Sequence, residues 1–200
     1  MFFFLAFLSK ENAVTLLPVI PLFIWFFSNA SLKSNLFTSL IFVGVTTLHL
    51  FIRVGVLGEM TGSAEHQLIN NSIIGADNLP DRLATALAVM GKYISLLFFP
   101  HPLSFDYSYN QIPVVSFGSA GALVATLICL FLAYRAFSGI KSKDPLSFGL
   151  LFFFATISLV SNVLFLIEST LAERFIYLPS LGFAIAVSYL LLKYFQLLKP

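Results

Sequence analysis

Residues 146–167, LSFGLLFFFATISLVSNVLFLI, run for 22 positions without a charged side chain. A helix needs about 20 mainly apolar residues to cross the hydrocarbon core of a bilayer. A second stretch, residues 117–134, is also free of charge. Both stretches therefore predict helices that span a membrane.

The composition of the whole chain agrees with a lipid environment. Of its 200 residues, 58% are hydrophobic and 10% are charged, and the mean hydropathy is +0.94. A soluble domain usually carries roughly 25% charged residues, because its surface must face water. The net charge of +2 is too small to indicate a nucleic-acid partner. The single cysteine, Cys129, lies in an apolar run, which predicts a buried core residue and neither a disulfide framework nor a metal-ligand spacing.

The apolar stretches predict an all-α fold, a polytopic transmembrane helical bundle of about five to six spans. Five stretches are long enough to span a bilayer, or nearly so: residues 13–27, 36–57, 117–134, 146–167 and 175–192. Pro18 and Pro21 are expected to kink the first, which neighbouring membrane helices tolerate. Residues 81–99 could form a sixth span, but Lys92 lies in their middle. We favour a segment that lies at the interface or re-enters the membrane, with Lys92 reaching the headgroups, over one that crosses.

Both ends of the sequence look like cuts in a longer protein. Residues 1–8 are apolar but too short to span, and they lack the basic region and cleavage site of a signal peptide. We interpret them as the truncated end of a first helix. Lys199 and Pro200 are interpreted as a cut or a junction.

The positions of lysine and arginine predict the orientation, because these residues are enriched in cytoplasmic loops. The cations that fit one cytoplasmic side are Lys33, Arg135, Lys141, Lys143, Lys193 and Lys199. If residues 81–99 crossed, one of these basic segments would lie outside. Without that crossing, residues 9–12, 58–80, 100–113 and 168–180 share the extracytoplasmic face. Nearly all the chemically capable side chains are in those four segments.

Two charged pairs at the membrane edge are the first candidates for a site. Lys10 and Glu11 lie in a polar turn between apolar segments. Lys10 could bind an anion, or the pair could only form an interfacial salt bridge that caps the next helix, since Ser9 and Asn12 are good capping residues. Glu173 and Arg174 lie between apolar runs, where charges are costly and usually functional. Arginine grips phosphate through a planar fork of two hydrogen bonds. The alternative is that Glu173 and Arg174 only neutralise each other or residues on other helices.

Residues 104–113, SFDYSYNQIP, place the carboxylate of Asp106 beside Tyr107 and several amides. This mixture suits a surface for a sugar or a lipid headgroup, and it equally suits an interfacial aromatic belt. The three histidines show no helical pairing, so no zinc site is predicted. No nucleotide-phosphate loop or dinucleotide fingerprint is present, which argues against a soluble activated donor.

Four motifs, taken in order, resemble a known family. They are LSKEN at 8–12, DNLP at 77–80, PLSFDY at 102–107 and AERFIYLPS at 172–180. This order resembles the membrane half of the transmembrane and tetratricopeptide-repeat O-mannosyltransferase family and its bacterial relatives, which are glycosyltransferases of the GT-C class. The resemblance implies that residues 1–200 are the C-terminal portion of a GT-C-like membrane domain. Its acidic catalytic loop would lie upstream of Met1 and its tetratricopeptide repeats would follow Pro200.

The same resemblance implies an activity. It predicts part of a membrane glycosyltransferase that moves a sugar, with mannose as first candidate, from a polyprenyl-phosphate donor to a protein or glycan hydroxyl on the extracytoplasmic side. Lys10 and Arg174 would then bind the donor phosphate. The residues expected to support or orient them are Glu11, Asp106, Tyr107, Glu173 and Tyr177. The catalytic base is expected upstream of Met1, and a divalent metal is compatible with this chemistry although the sequence identifies no cofactor.

Two other functions stay open at this point. The chain could be a transporter or flippase of a lipid-linked intermediate, although such proteins usually bind near the bilayer midplane. It could also be a non-catalytic membrane module, so whether this chain is an enzyme by itself is undecided. The predicted partners are the lipid bilayer, the lipid-linked sugar and its acceptor, and no nucleic acid. The predicted location is the bacterial inner membrane, or the endoplasmic reticulum membrane in a eukaryote.

Overall fold

The computed structural model describes residues 2–57, 68–104 and 107–197, and every regular element in these ranges is a helix. The chain divides into two compact units, Met1–Glu65 and His66–Pro200. The all-α class predicted from the apolar stretches is confirmed.

The first unit contains α1 (Phe2–Ser9), α2 (Leu16–Phe27) and α3 (Leu32–Leu57), with a 3₁₀ turn at Glu11–Thr15. Helix α2 continues through Pro21, as a membrane helix can. Aromatic contacts hold α1 against α3. The ring centroid of Phe3 lies 5.0 Å from that of Phe42, and Phe7 stacks on His49 at 4.7 Å. Because the residue numbers rise together along both helices, α1 and α3 run parallel.

The second unit contains α4 (Leu79–Phe98), α5 (Ala120–Ser138), α6 (Pro145–Ile157) and α7 (Tyr177–Leu197), with 3₁₀ turns at Ser72–Gly75, Ser158–Val160 and Glu173–Ile176. Polar side chains cap three of its α-helices. Asn78 accepts a hydrogen bond from the Asp81 N–H at 2.8 Å, Ser119 from Ala122 at 3.2 Å, and Asp144 from Leu146 at 3.3 Å. Each cap satisfies a backbone donor that the helix itself leaves free.

Glycines allow α6 and α7 to pack closely. A Cβ atom added to Gly149 would lie 2.7 Å from the Gly182 carbonyl oxygen. The same added Cβ atom would lie 2.9 Å from the Ala186 backbone nitrogen, whereas one added to Gly182 would lie 2.7 Å from the Phe153 backbone nitrogen. The two helices are therefore antiparallel.

This antiparallel packing sorts the charges of the second unit. Lys141 and Lys143 lie in the loop before α6, at the same end as Lys193 of α7, whereas Glu173 and Arg174 precede α7 at the other end. The orientation predicted from lysine and arginine requires the basic residues of this unit and the Glu173–Arg174 pair to lie at opposite ends, which is how the helices place them. The side of the membrane that each end faces stays a prediction.

Three described helices are long and apolar enough to cross a membrane: Leu32–Val56, Ala120–Ser138 and Glu173–Gln196. Two shorter apolar helices cover Asn12–Phe27 and Pro145–Val160. Each of the five predicted stretches thus contains a helix, and the described chain is a helical membrane bundle. Helix α4 carries Asp81, Arg82 and Lys92 and is not among the three. Whether α4 crosses stays a prediction.

The predicted stretch 146–167 ends earlier as a helix than its hydropathy indicated. Helix α6 stops at Ile157, one 3₁₀ turn follows, and Asn162 adopts a left-handed φ of 58°. The Ser161 hydroxyl donates to the Ser158 carbonyl at 2.9 Å, and the Asn162 side-chain oxygen accepts from the Ile167 N–H at 3.0 Å. Such side-chain bonds to the nearby backbone compete with helical ones. The apolar run therefore becomes a loop after Ile157.

Candidate functional site

A buried hydrogen-bond network positions the segment that leads to Glu173. Asn71 and Asn162 are both fully buried, and the Asn71 amide donates to the Asn162 side-chain oxygen at 2.9 Å and to the Ile167 carbonyl at 2.7 Å. The Asn162 amide donates to the carbonyls of Ser169 and Thr170 at 3.0 and 3.3 Å. Buried amides that are fully bonded fix one conformation. The loop after α6 is therefore held against the 3₁₀ turn Ser72–Gly75.

Tyr93 of α4 fixes the residue next to Glu173. Its side chain is fully buried, and its hydroxyl oxygen accepts a hydrogen bond from the Ala172 N–H at 3.0 Å. Burial raises the pKa of this hydroxyl, and the hydrogen bond from Ala172 and the positive charge of Arg174 lower it in part. Helix α4 thus sets the position of the turn that carries Glu173 and Arg174.

Glu173 joins two separate segments. One of its carboxylate oxygens accepts hydrogen bonds from the Ser104 N–H at 2.7 Å and from the Tyr107 hydroxyl at 2.9 Å. Tyr107 is buried, and its pKa lies above the ordinary value, first because of burial and then because of the hydrogen bond and charge of Glu173. Tyr107 is therefore a neutral donor to Glu173. These bonds bring together the segments that contain two of the four family-like motifs.

Lys92 is the site residue that sequence reasoning did not group with the others. Its ammonium nitrogen lies 4.7 Å from the centroid of the Tyr107 ring, and its side chain is exposed. The exposed guanidinium of Arg174 lies 5.2 Å from the centroid of the Phe175 ring. The sequence predicts only that Lys92 reaches the headgroups, and its position in the middle of an apolar segment is the one signal that points to it. We call Lys92, Tyr107, Glu173 and Arg174 the acid–cation cluster.

One alternative for Glu173 and Arg174, that they neutralise each other, does not match these contacts, whereas the other, neutralisation by residues on other helices, is not tested. No ion pair joins them in the ranges that the structure describes, and Glu173 instead accepts from Ser104 and Tyr107. Arg174 contacts an aromatic ring and faces solvent or lipid. Its charge is thus available to a ligand.

The remaining predicted residues lie elsewhere or outside the description. Tyr177 is 85% exposed, and in the described part of the chain its side chain makes no hydrogen bond to Glu173. Asp106 falls outside the described residues. Lys10 is exposed and belongs to the first unit, as does Glu11, of whose side chain nothing is described. Their cooperation with Arg174 stays a prediction.

The capping interpretation of residues 9–12 was wrong in detail. The 3₁₀ turn begins at Glu11, so Lys10 occupies the capping position, and its side chain makes no cap hydrogen bond. The hydroxyl of Thr15 donates instead to the Asn12 carbonyl at 2.8 Å. Neither Ser9 nor Asn12 therefore caps this turn.

Metal binding has no preformed site in the described ranges. No group of three or more His, Cys, Asp or Glu side chains is placed there to hold an ion. His49 packs between aromatic rings, and Cys129 is buried as expected.

Two mouse proteins are similar to this chain. It is 28% identical over 157 residues to Protein O-mannosyl-transferase TMTC4 of Mus musculus, a match that covers 76% of the chain and 21% of that protein. It is 25% identical over 162 residues to Protein O-mannosyl-transferase TMTC1 of Mus musculus, covering 78% of the chain and 17% of that protein. The chain is a distant relative of these O-mannosyl-transferases.

The relation has defined limits. No protein-family model matches the chain, and no solved structure matches it. The chain spans only about a fifth of the length of the two relatives. The resemblance inferred from the four motifs is thus confirmed as a distant one. The bacterial type and the place of residues 1–200 within a longer GT-C-like domain stay predictions.

Proposed function

We propose that this chain is part of a membrane glycosyltransferase that transfers a sugar, with mannose as first candidate, from a polyprenyl-phosphate donor to a protein or glycan hydroxyl. The observation that carries the proposal is the acid–cation cluster, in which Tyr107 links Lys92 to Glu173 and the exposed Arg174 is the next residue along the chain. The distant relation to O-mannosyl-transferases supports a membrane glycosyltransferase. The donor, the acceptor and the extracytoplasmic side are parts of the proposal.

The chemistry of transfer explains why cations belong here. The bond between the anomeric carbon and the phosphate oxygen breaks, and the departing lipid phosphate gains negative charge. Cations at the boundary between hydrocarbon and water stabilise that charge more than they would in bulk water, because the local dielectric is lower. Arg174 would grip the phosphate through its planar fork, and Lys92 would act as a point charge.

Glu173 and Tyr107 are proposed to position these cations. The Glu173 carboxylate already accepts two hydrogen bonds, from Ser104 and Tyr107, so we do not assign it as the catalytic base. The resemblance places that base upstream of Met1. Lys10 as a further phosphate ligand, and Glu11, Asp106 and Tyr177 as supporting residues, rest on the resemblance and on residue type.

The location of charge argues against a transporter. Transporters usually bind substrate near the bilayer midplane at broken helices. In the second unit, α6 carries no charge and α5 carries only Arg135 near its end. Two members of the acid–cation cluster, Glu173 and Arg174, lie in the 3₁₀ turn that precedes α7. An edge-located site favours a lipid headgroup as substrate.

Which cellular membrane holds the chain stays a prediction. The relatives reported above are mouse proteins and lend no support to a bacterial inner membrane. A divalent metal remains compatible with the proposed reaction.

The proposal is tested with Arg174→Ala, using transfer of mannose from polyprenyl-phosphate mannose in liposomes. Loss of one charge-stabilising group is expected to lower turnover about 100-fold. Lys141→Ala, an exposed cation at the opposite end of the unit, is the matched control and should transfer normally. Unchanged turnover in Arg174→Ala would remove Arg174 from the mechanism.

A binding measurement covers the case in which the unaltered chain does not transfer by itself. Polyprenyl phosphate in the same liposomes should bind the protein and its Lys141→Ala variant equally, and Arg174→Ala more weakly. Equal binding by all three proteins would favour the non-catalytic membrane module.

A further inference from the structure

A pocket separate from the acid–cation cluster lies at the start of α4. Its volume is about 280 Å³, and its walls come from the 3₁₀ turn Ser72–Gly75, the first turns of α4 and the loop after α6. Its lining includes Ile73, Ala76, Asp77, Leu79, Arg82 and Leu166. Arg82 precedes Lys92 by ten positions on α4, which is about 15 Å along the helix axis. The proposed phosphate site and this pocket are therefore distinct.

Arg82 brings an unsatisfied donor to the pocket. Its Nε atom is buried and has no hydrogen-bond partner among the described residues. A buried N–H without an acceptor is unfavourable, and most such groups in proteins are paired. Asp77 lines the same pocket, yet no ion pair joins Asp77 and Arg82 in the described ranges. A bound ligand would give the Arg82 Nε–H the acceptor that it lacks, and the exposed Asp77 carboxylate would offer a second contact.

The other polar group in the lining is already used. The Asn78 side chain accepts from the Asp81 N–H at 2.8 Å and donates to the Asp81 carboxylate at 2.9 Å. The helix start is thus capped by the protein itself. Asp77 and Arg82 are the groups left to recognise a ligand.

The chemistry of these two groups selects a ligand class. A carboxylate only accepts hydrogen bonds and a guanidinium only donates them. An anion would be repelled by Asp77 and a cation by Arg82, whereas neighbouring hydroxyls can donate to one and accept from the other. The Leu79 and Leu166 side chains suit the C–H face of a sugar ring. A volume of about 280 Å³ is near the lower end of small-molecule pockets, which leaves room for one ring.

We propose that this pocket binds a single neutral sugar ring. The ring could belong to a lipid-linked sugar or to a glycan, because both present the same hydroxyls. The choice of mannose as the first probe rests on the proposed function, but the pocket and the unpaired Arg82 donor do not.

The test measures binding of methyl α-mannoside and methyl α-glucoside to the protein in detergent by ligand-detected NMR. Arg82→Gln and Asp77→Asn are each expected to weaken binding about tenfold, as expected when a hydrogen bond to a charged group is lost. Lys141→Gln is the control and should bind like the unaltered protein. Competition with polyprenyl-phosphate mannose or with mannobiose then identifies the lipid-linked or the glycan source, and either result supports the site.

A second variant removes space and leaves both charges in place. Ala76 lines the pocket, so Ala76→Leu should fill part of it and abolish sugar binding, with circular dichroism confirming the fold. Absent sugar binding, or binding that survives in both Arg82→Gln and Ala76→Leu, would overturn the proposal. Binding of inorganic phosphate that depends on Arg82 would also overturn it.

The outcome separates this proposal from the proposed function. If sugar binding is lost in Arg174→Gln but kept in Arg82→Gln, the sugar lies at the acid–cation cluster and only the pocket proposal fails. If Arg174→Ala transfers normally while sugar binding depends on Arg82, the pocket stands and the proposed phosphate site fails.

Discussion

Tyr107 is held between an acid and a cation. Its hydroxyl donates to Glu173 at 2.9 Å, and Lys92 lies 4.7 Å from the centroid of its ring. The negative face of an aromatic ring attracts a cation, so one side chain positions two charges at once. A buried tyrosine thus explains how an exposed lysine and a half-buried glutamate stay together.

Removing the Lys92 charge should weaken the proposed phosphate site. We expect Lys92→Gln to bind polyprenyl phosphate about tenfold more weakly, in keeping with the loss of one charged hydrogen bond. Lys92→Arg keeps the charge and should bind nearly normally, and Lys141→Gln is the control. Binding to liposomes with and without the lipid phosphate measures the effect. Equal affinity in Lys92→Gln would exclude Lys92 from the site.

Tyr107 should make stability depend on alkaline pH. Its pKa is raised above the ordinary 10.0, so the neutral hydroxyl stabilises the fold fully below pH 10. This contribution is lost as the pH rises through the folded-state pKa. Tyr107→Phe should be about 2 kcal/mol less stable below pH 10, because it lacks the hydrogen bond to Glu173. Above pH 10 the difference should shrink, and denaturant unfolding across this range measures it. A constant difference would contradict the assignment.

Asn162 combines a backbone role with a side-chain role. Asn162→Ala should lose about 3 kcal/mol or more, because the amide bonds disappear and alanine is unfavourable at a φ of 58°. Asn162→Gly loses the same bonds but accepts that φ, so it should be about 1 kcal/mol more stable than Asn162→Ala. Unfolding free energies of both variants separate the two roles. Equal stability of the variants would mean that the backbone conformation contributes nothing.

At the scale of helices, small residues decide which surfaces meet. Gly149 and Gly182 lie against each other's backbone in α6 and α7, and a Cβ atom added to Gly91 of α4 would lie 2.6 Å from Ala125 of α5. In lipid there is little hydrophobic gain from helix contact, so close backbone packing must supply the attraction. These glycines therefore hold the scaffold that presents the acid–cation cluster.

Gly182→Ala should destabilise the α6–α7 pair. The added methyl would lie 2.7 Å from the Phe153 backbone nitrogen, and backbone atoms move less readily than side-chain ends. We expect a loss of about 1–3 kcal/mol in unfolding free energy. Gly44→Ala in α3 meets nothing within 4 Å and gains helix propensity, so it should be neutral or stabilised by about 1 kcal/mol. Equal effects from the two substitutions would show that the close contact is unimportant.

At the scale of the whole molecule, the described chain consists of two compact helical units. The orientation predicted from the sequence places residues 9–12 of the first unit and residues 168–180 of the second on the same side of the membrane. Membrane orientation is read from lysine and arginine in the loops. The second unit separates its basic loop from the acid–cation cluster along α7. The position of Lys10 relative to that cluster is the open question at this scale.

Cysteine labelling answers it. Starting from Cys129→Ala, single cysteines are introduced as Lys10→Cys, Tyr177→Cys and Lys141→Cys. We expect an impermeant thiol reagent added outside to label the first two in intact cells, and the third only after permeabilisation. All three substituted residues are exposed, so the reagent can reach each position that faces it. Labelling of Lys10→Cys and Tyr177→Cys from opposite sides would separate Lys10 from the proposed phosphate site.

Local sequence properties predicted the helical membrane class, because spanning a bilayer requires a long apolar run that can be read along the chain. They also located Glu173 and Arg174, since charges between apolar runs stand out. The end of α6 was mispredicted because Asn162 and two serines take up backbone groups in a way that hydropathy does not register.

Tertiary structure alone decided which polar groups meet. Asn71 bonds to a residue 91 positions away, and Tyr107 bonds to Glu173 across 66 positions. Lys92 became part of the acid–cation cluster only because α4 carries it beside Tyr107. Burial in lipid depends on the hydropathy of each segment by itself, whereas a hydrogen bond or a cation–ring contact depends on the positions of two segments at once. A single sequence specifies the first directly and the second only through folding.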